Sequence, residues 1–198
     1  MTELRTLKGE FVNLRPLQLH DAQLTFRWRH DQRAKFLNAG AATVAQQAAW
    51  IANRPASEYN FIIELKNGNS VGMLSLTDID ATNRRGEPGR FLIGDEEAAK
   101  GVPVAVESMK LLYELAFDQL GLIRLYGIVA ANNHLMLKWQ KYLGMKEEGR
   151  LRNHLYLAGQ FMDGIFVGLL LDEYRKITLP RMNVLIAAAR QRPDPHKI

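Results

Sequence analysis

The spacing of apolar residues changes several times along the chain, and each change predicts an element. Residues 11–17 (FVNLRPL) alternate, as a first strand should. His20-Asp21 opens a helix through Arg29 that carries Ala22, Leu24, Phe26 and Trp28. Thr43 suits the cap of a second helix, 44–53, which Arg54-Pro55 closes. Residues 59–65 and 70–76 flank Lys66-Asn67-Gly68-Asn69, the turn chemistry of a hairpin. Residues 79–88 (IDATNRRGEP) predict a loop, and Phe91-Leu92-Ile93 a short strand between Gly89 and Gly94. Residues 95–103 lead into a helix with Met109, Leu112, Tyr113, Ala116, Phe117 and Leu120 on one face, ended by Gly121.

The stretch 124–171 is the most telling. An apolar strand, 124–129, ends at Asn132-Asn133, where a helix begins that stops at Gly144. A long strand, a turn at Ala158-Gly159 and a final strand follow. A strand that hands over to a helix through Asn leaves unpaired backbone amides and a short polar side chain at one spot. Such a spot suits a ligand. The predicted order is strand, two helices, three strands, helix, strand, helix and two strands, with a short helix (MNVLIAAARQ) after Pro180. This is an α+β domain over residues 1–175, followed by an appendage over 176–198 with a short helix and a flexible end.

Composition narrows the class. Of 198 residues, 47% are apolar and 24% charged, enough for a full core. No apolar run approaches the roughly 20 residues of a membrane helix. The opening MTELRTLKGE has no apolar stretch of the secretory kind. The absence of cysteine excludes disulfides, thiolate metal sites and a cysteine nucleophile, and fits an expected cytoplasmic setting. Of the +5 formal charge, much lies beyond Leu171, where six basic residues face three acidic ones. No basic run interleaved with aromatics appears, so nucleic acid is not the expected partner. A mildly basic surface also suits a phosphate-bearing ligand.

The element order and these residues resemble the GNAT superfamily of acetyl-CoA-dependent N-acetyltransferases, from about Phe11 to Leu171. The resemblance is to the branch of ribosomal-protein N-terminal, polyamine and amino-sugar acetyltransferases. It implies a mixed, mostly antiparallel sheet flanked by helices. It further implies a splayed strand pair that exposes the backbone of Phe91, Leu92 and Ile93 to acetyl-CoA and to a developing oxyanion. In the family a helix N-terminus takes the cofactor pyrophosphate on its amides. Here that segment is Lys100, Gly101, Val102, Pro103, Val104, Ala105 and Val106, with a register open by one residue. Pro103 falls where the family has its first glycine, removing one donor while suiting a first helical turn. A second block, from Asn133 to Gly144, places Gln140 at the family's tyrosine. Tyr142 is the candidate acid nearby, although two residues on lies roughly 200° around a helix. A third block comprises Glu147-Glu148-Gly149-Arg150, His154, Gly159 and Asp163.

Acetylating an amine whose pKa is near 10 requires a base. Glu87 is the first candidate, against a solvated loop charge; Asp78 and Asp80 are the second, as base or as substrate ligands. Trp28 and Arg29 would hold a nucleotide diphosphate, unless Trp28 is core; His154 would face the cleft, unless it is structural. The expected acceptor is a nucleotide-linked amino sugar, with a protein N-terminus or a polyamine as alternatives. No metal is implied, and a monomer or a homodimer is expected. Pro103 and Gln140 also leave open a non-catalytic acyl-CoA-binding module.

Overall fold

A computed structural model describes residues 5–191. Its centre is one eight-stranded sheet in the order β1-β2-β3-β4-β5-β6-β8-β7. The strands are β1 (Leu7–Lys8), β2 (Val12–Pro16), β3 (Tyr59–Leu65), β4 (Ser70–Asp80), β5 (Arg85–Ile93), β6 (Arg124–Ala130), β7 (Lys146–Leu157) and β8 (Gln160–Leu170). All neighbours are antiparallel except β5 and β6, which run parallel. The helices are α1 (Ala22–Arg29), α2 (Val44–Ala52), α3 (Glu96–Ala99), α4 (Val104–Glu114), α5 (His134–Tyr142), α6 (Leu171–Glu173) and α7 (Leu179–Arg190). The architecture is α+β, as the element order implies.

Two cores lie on the sheet. The larger includes Leu14, Phe61, Ile63, Leu74, Leu112, Tyr113, Leu125, Val167 and Leu169, with Tyr174, Met182 and Ile186 from the C-terminal helical stretch. The smaller joins Leu17, Ala22, Trp28, Ile51, Ile62, Met73 and Leu92 under α1 and α2. Alternation explains the division: Ile62 and Ile63 are successive on β3, and period-2 geometry sends them to opposite faces. Glu107, in the first turn of α4, is 4% exposed. Its carboxylate accepts hydrogen bonds from the amides of Glu10, Phe11 and Val12 at 2.7 Å each. A buried charge is tolerable when it is hydrogen-bonded this fully.

The expected loop and short strand over residues 79–93 need correction. Residues 79–88 are not a loop: β4 runs to Asp80, β5 starts at Arg85, and only the tip between them turns. The expected short strand at Phe91–Ile93 is the end of a nine-residue one. The tail is also more integrated than a short helix after Pro180. α6, a wide π turn (Tyr174–Thr178) and α7 follow without a break, so the expected division at 175/176 falls inside helical structure. Tyr174 and Thr178 are fully buried there, and the Tyr174 ring stacks on Phe117 at 4.6 Å. Arg175 pairs with Asp118, Lys176 with Asp172 and Arg190 with Glu10, so these tail cations are matched by carboxylates. The expected flexible end lies outside the described residues.

Candidate active site

β5 and β6 pair only at Arg85–Arg124 and Gly86–Leu125, then part. Beyond Gly86 the β6-facing backbone of β5 has no strand partner. The cause is local. Against β4, Ser75 pairs with Gly89 but Met73 pairs with Leu92, so Arg90 and Phe91 together oppose Leu74. That extra residue is a bulge, which bends a strand and re-aims its side chains. Arg90 adopts φ +52°, a conformation costing a non-glycine residue about 1 kcal/mol or more.

The parting opens a cleft of about 510 Å³. Glu87, Phe91, Tyr126, Asn133, Gln140 and His154 line it, and Arg29 and Arg90 stand at its α1 side. Burial pushes the Glu87 carboxyl above the usual range; Asp78 adds to the rise and Arg90 partly opposes it. The Glu87 carboxylate faces Gly127 of β6, whose missing side chain leaves room for it. Tyr126 donates its hydroxyl to Asp78, and burial raises the phenol to about 12. Asp78 itself sits at φ +47°, at a second irregularity between β4 and β5.

The sequence candidates thus separate. Glu87, Arg29, Phe91, Asn133 and His154 converge on the cleft. Asn133 caps α5, its side-chain oxygen accepting the amide of Met136 at 3.2 Å. Asp78 reaches the cleft edge through Tyr126. Asp80 does not; it accepts from Asn83 and pairs with Arg85 at 3.4 Å at the hairpin tip. Trp28 is core, 3% exposed, and lies on Gly94. Tyr142 is on the outer side of α5, half-exposed beside Trp139 with Arg181 over its ring. Gln140, the residue at the family's tyrosine position, lines the cleft instead, and its Oε1 is buried without a partner among the described residues. Leu92 is buried in the smaller core, and Ile93 packs on the larger.

At the α4 N-terminus the expected amide array is incomplete. The amide of Val102 donates to Ala99 at 3.1 Å and that of Val104 to Val102 at 2.8 Å. Gly101, at φ +78°, and the first-turn amides of Ala105 and Val106 make no such backbone bond among the described residues. Lys100 is exposed, 3.9 Å from Glu97. Arg90, Trp50 and Tyr126 were not sequence candidates. The signal for Tyr126 is its place in the apolar strand 124–129; Arg90 falls between Gly89 and the expected strand at 91–93, in no predicted element.

Comparison with known proteins agrees with this architecture. The family model of the acetyltransferase (GNAT) domain matches residues 12–146. The spermidine N(1)-acetyltransferase of Escherichia coli (strain K12) is 30% identical over 118 residues, 60% of this chain and 61% of that protein. YdaF of Bacillus subtilis (strain 168), provisionally assigned as a ribosomal N-acetyltransferase, is 33% identical over 110 residues, 56% of this chain and 58% of that protein. The chain therefore spans less than two thirds of the length of these relatives. The spermidine/spermine N-acetyltransferase structure from Vibrio cholerae superposes with a TM-score of 0.72 at 21% identity, covering 87% of this chain and 99% of that one. With residues 12–146 matched and the sheet parting where the site residues gather, the chain belongs to the GNAT acetyltransferase family.

Proposed function

We propose that the protein transfers an acetyl group from acetyl-CoA to a primary amine of a small molecule. The observation that carries this reading is Glu87: a carboxyl raised by burial, in the cleft, beside the point where β5 leaves β6. Acetyl-CoA, the acyl donor of this family, supplies a thioester carbonyl. Fit to it is supported by the unpartnered backbone of β5 beyond Gly86 and by the orphaned Gln140 Oε1, an acceptor for an amide N–H of an extended arm. Gly101, Ala105 and Val106 are the donors left for a pyrophosphate, Val102 and Val104 being engaged.

Glu87 takes a proton from the acceptor ammonium. The freed amine attacks the thioester carbon, and the oxyanion faces backbone N–H groups of Phe91–Ile93. The C–N bond forms as C–S breaks. The thiolate takes up a proton and the amide nitrogen sheds its surplus one, so an ammonium and a thioester yield an amide, a thiol and one released proton. A thiolate whose conjugate acid has pKa near 8.5 leaves without a dedicated acid near neutral pH. This makes the position of Tyr142 away from the cleft compatible with catalysis.

The test is thiol release with an amine panel, paired with calorimetric titration of acetyl-CoA. Release with at least one amine, and its collapse in Glu87→Gln with acetyl-CoA binding retained, is the expected result. Acetyl-CoA binding without release from any amine would instead support a non-catalytic acyl-CoA-binding module.

A further inference from the structure

A second cavity, of about 420 Å³, opens between α1, α2 and the start of the bulge in β5. Arg29, Gln46, Gln47, Trp50, Met73 and Arg90 line it. It adjoins the acetyl cleft, because Arg29, Asn38 and Arg90 belong to both. Anything seated there presents its near end to the cleft that holds Glu87.

The charge of this cavity is one-sided. Arg90 is compensated: it donates to Glu58 at 2.6 Å and to Asn60 at 2.8 Å, and its guanidinium lies 5.2 Å from the Trp50 ring centre. Arg29 is not. Its only protein acceptor among the described residues is the carbonyl of Asn38, and no carboxylate lies within ion-pair distance. Burial and the neighbouring Arg90 both press its pKa down. Arg54, outside the cavity lining but within electrostatic reach of Arg90, donates to the carbonyl of Leu17 at 3.0 Å, and its buried Nη1 has no acceptor among the described residues. Neither α1 nor α2 contains a carboxylate. A half-buried guanidinium held against a like charge costs free energy unless an anion arrives.

We propose that the acceptor is a primary amine on a small molecule that also carries an anionic group, a carboxylate or a phosphate. Arg29 binds the anion in the α1–α2 cavity while the amine reaches Glu87. This rests on the acetyl-transfer reading above and sets this chain apart from polycation acetylation, since a polyamine would meet cations where it needs carboxylates. A planar guanidinium suits either oxyanion in bidentate fashion.

The experiment compares matched acceptors: glucosamine with glucosamine 6-phosphate, ethanolamine with β-alanine, and spermidine. Acetylation by the full chain is measured together with the melting temperature at each acceptor alone. Wild type should favour the anionic member of a pair by about tenfold or more in kcat/KM, mostly through KM. The phosphate pair and the carboxylate pair separate the two sources. The favoured anion alone should raise the melting temperature. Arg29→Gln should erase both the preference and the shift, and Arg29→Lys should restore part of each. Spermidine or the neutral partners preferred, or the preference surviving in a folded Arg29→Gln, overturns the proposal. A melting shift that Arg29→Gln abolishes, without acetylation of any amine, upholds the anion pocket and defeats the acetyl-transfer reading instead.

Discussion

The indole of Trp28 lies so close to the backbone of Gly94 that a Cβ on that glycine would overlap the ring. The contact ties α1 to the residue just past β5. Arg29 follows Trp28 on one side, and Arg90 precedes Gly94 by four residues on the other. The geometry of the two cations is therefore set by a packing contact outside the cleft.

Gly94→Ala should consequently destabilise the fold by about 1–3 kcal/mol, the usual cost of overpacking. For a chain of this size that is a fall of roughly 2–4 °C in melting temperature per kcal/mol. Thermal unfolding followed by circular dichroism checks it; an unchanged melting temperature would show the indole free to move aside.

Glu87→Gln should lower kcat by about 10²-fold or more, the usual contribution of a general base. Because burial raises the Glu87 carboxyl, wild-type activity should fall away on acidification at a pH above the ordinary carboxylate range. The variant should lose that acid limb. Stability runs the other way. A carboxyl raised in the fold binds its proton more tightly folded than unfolded, so its contribution falls as pH rises from the ordinary value through the raised one. Glu87→Gln removes that loss and should melt higher than wild type at neutral pH; a lower melting temperature there would contradict the burial argument.

Glu107→Ala removes the acceptor for three backbone amides at once. A loss of about 3 kcal/mol or more is expected, given the strength of bonds to charged acceptors. Chemical denaturation measures it, and a loss below 1 kcal/mol would mean water replaces the carboxylate without difficulty.

The hydroxyls of Tyr113 and Tyr174 are buried without partners among the described residues. Tyr174→Phe should therefore be neutral or stabilising by up to about 1 kcal/mol, as removing an unsatisfied polar group is. Tyr142→Phe should leave turnover unchanged, since that ring is on the solvent side of α5. A large loss of turnover there would place its hydroxyl in the reaction after all.

Much of this molecule can be read from its residues, and the failures have physical causes. Thr43, Asn133 and the apolar face of α4 announce their helices because capping and a 3.6-residue period are local properties. The phase argument that sets Tyr142 apart from Gln140 holds for the same reason. β5 was obscured by Gly86, Pro88 and Gly89, which look like turn chemistry. Proline is tolerated in a strand where no ladder bond is asked of its nitrogen, and Pro88 sits just past the point where β6 departs. Pro180 likewise read as a start, although the wide turn over Tyr174–Thr178 carries the helix into it. The occupied amide of Val104 depends on the bend at Pro103, with ψ 45°, which spacing cannot supply. Arg90 depends on a register shift against β4, a relation between strands and not a pattern within one.

The single surplus residue in β5 has a consequence for how such an enzyme could diverge. If the cleft seats the donor and the α1–α2 cavity the acceptor, as proposed, the insertion that aims Arg90 lies in the same strand that leaves β6, so the two seats share a hinge. Exchanging Arg29 or Trp50 could retune the choice of amine while sparing the thioester's berth. Shortening the strand at position 90 would disturb both together, since Arg90 lines each cavity.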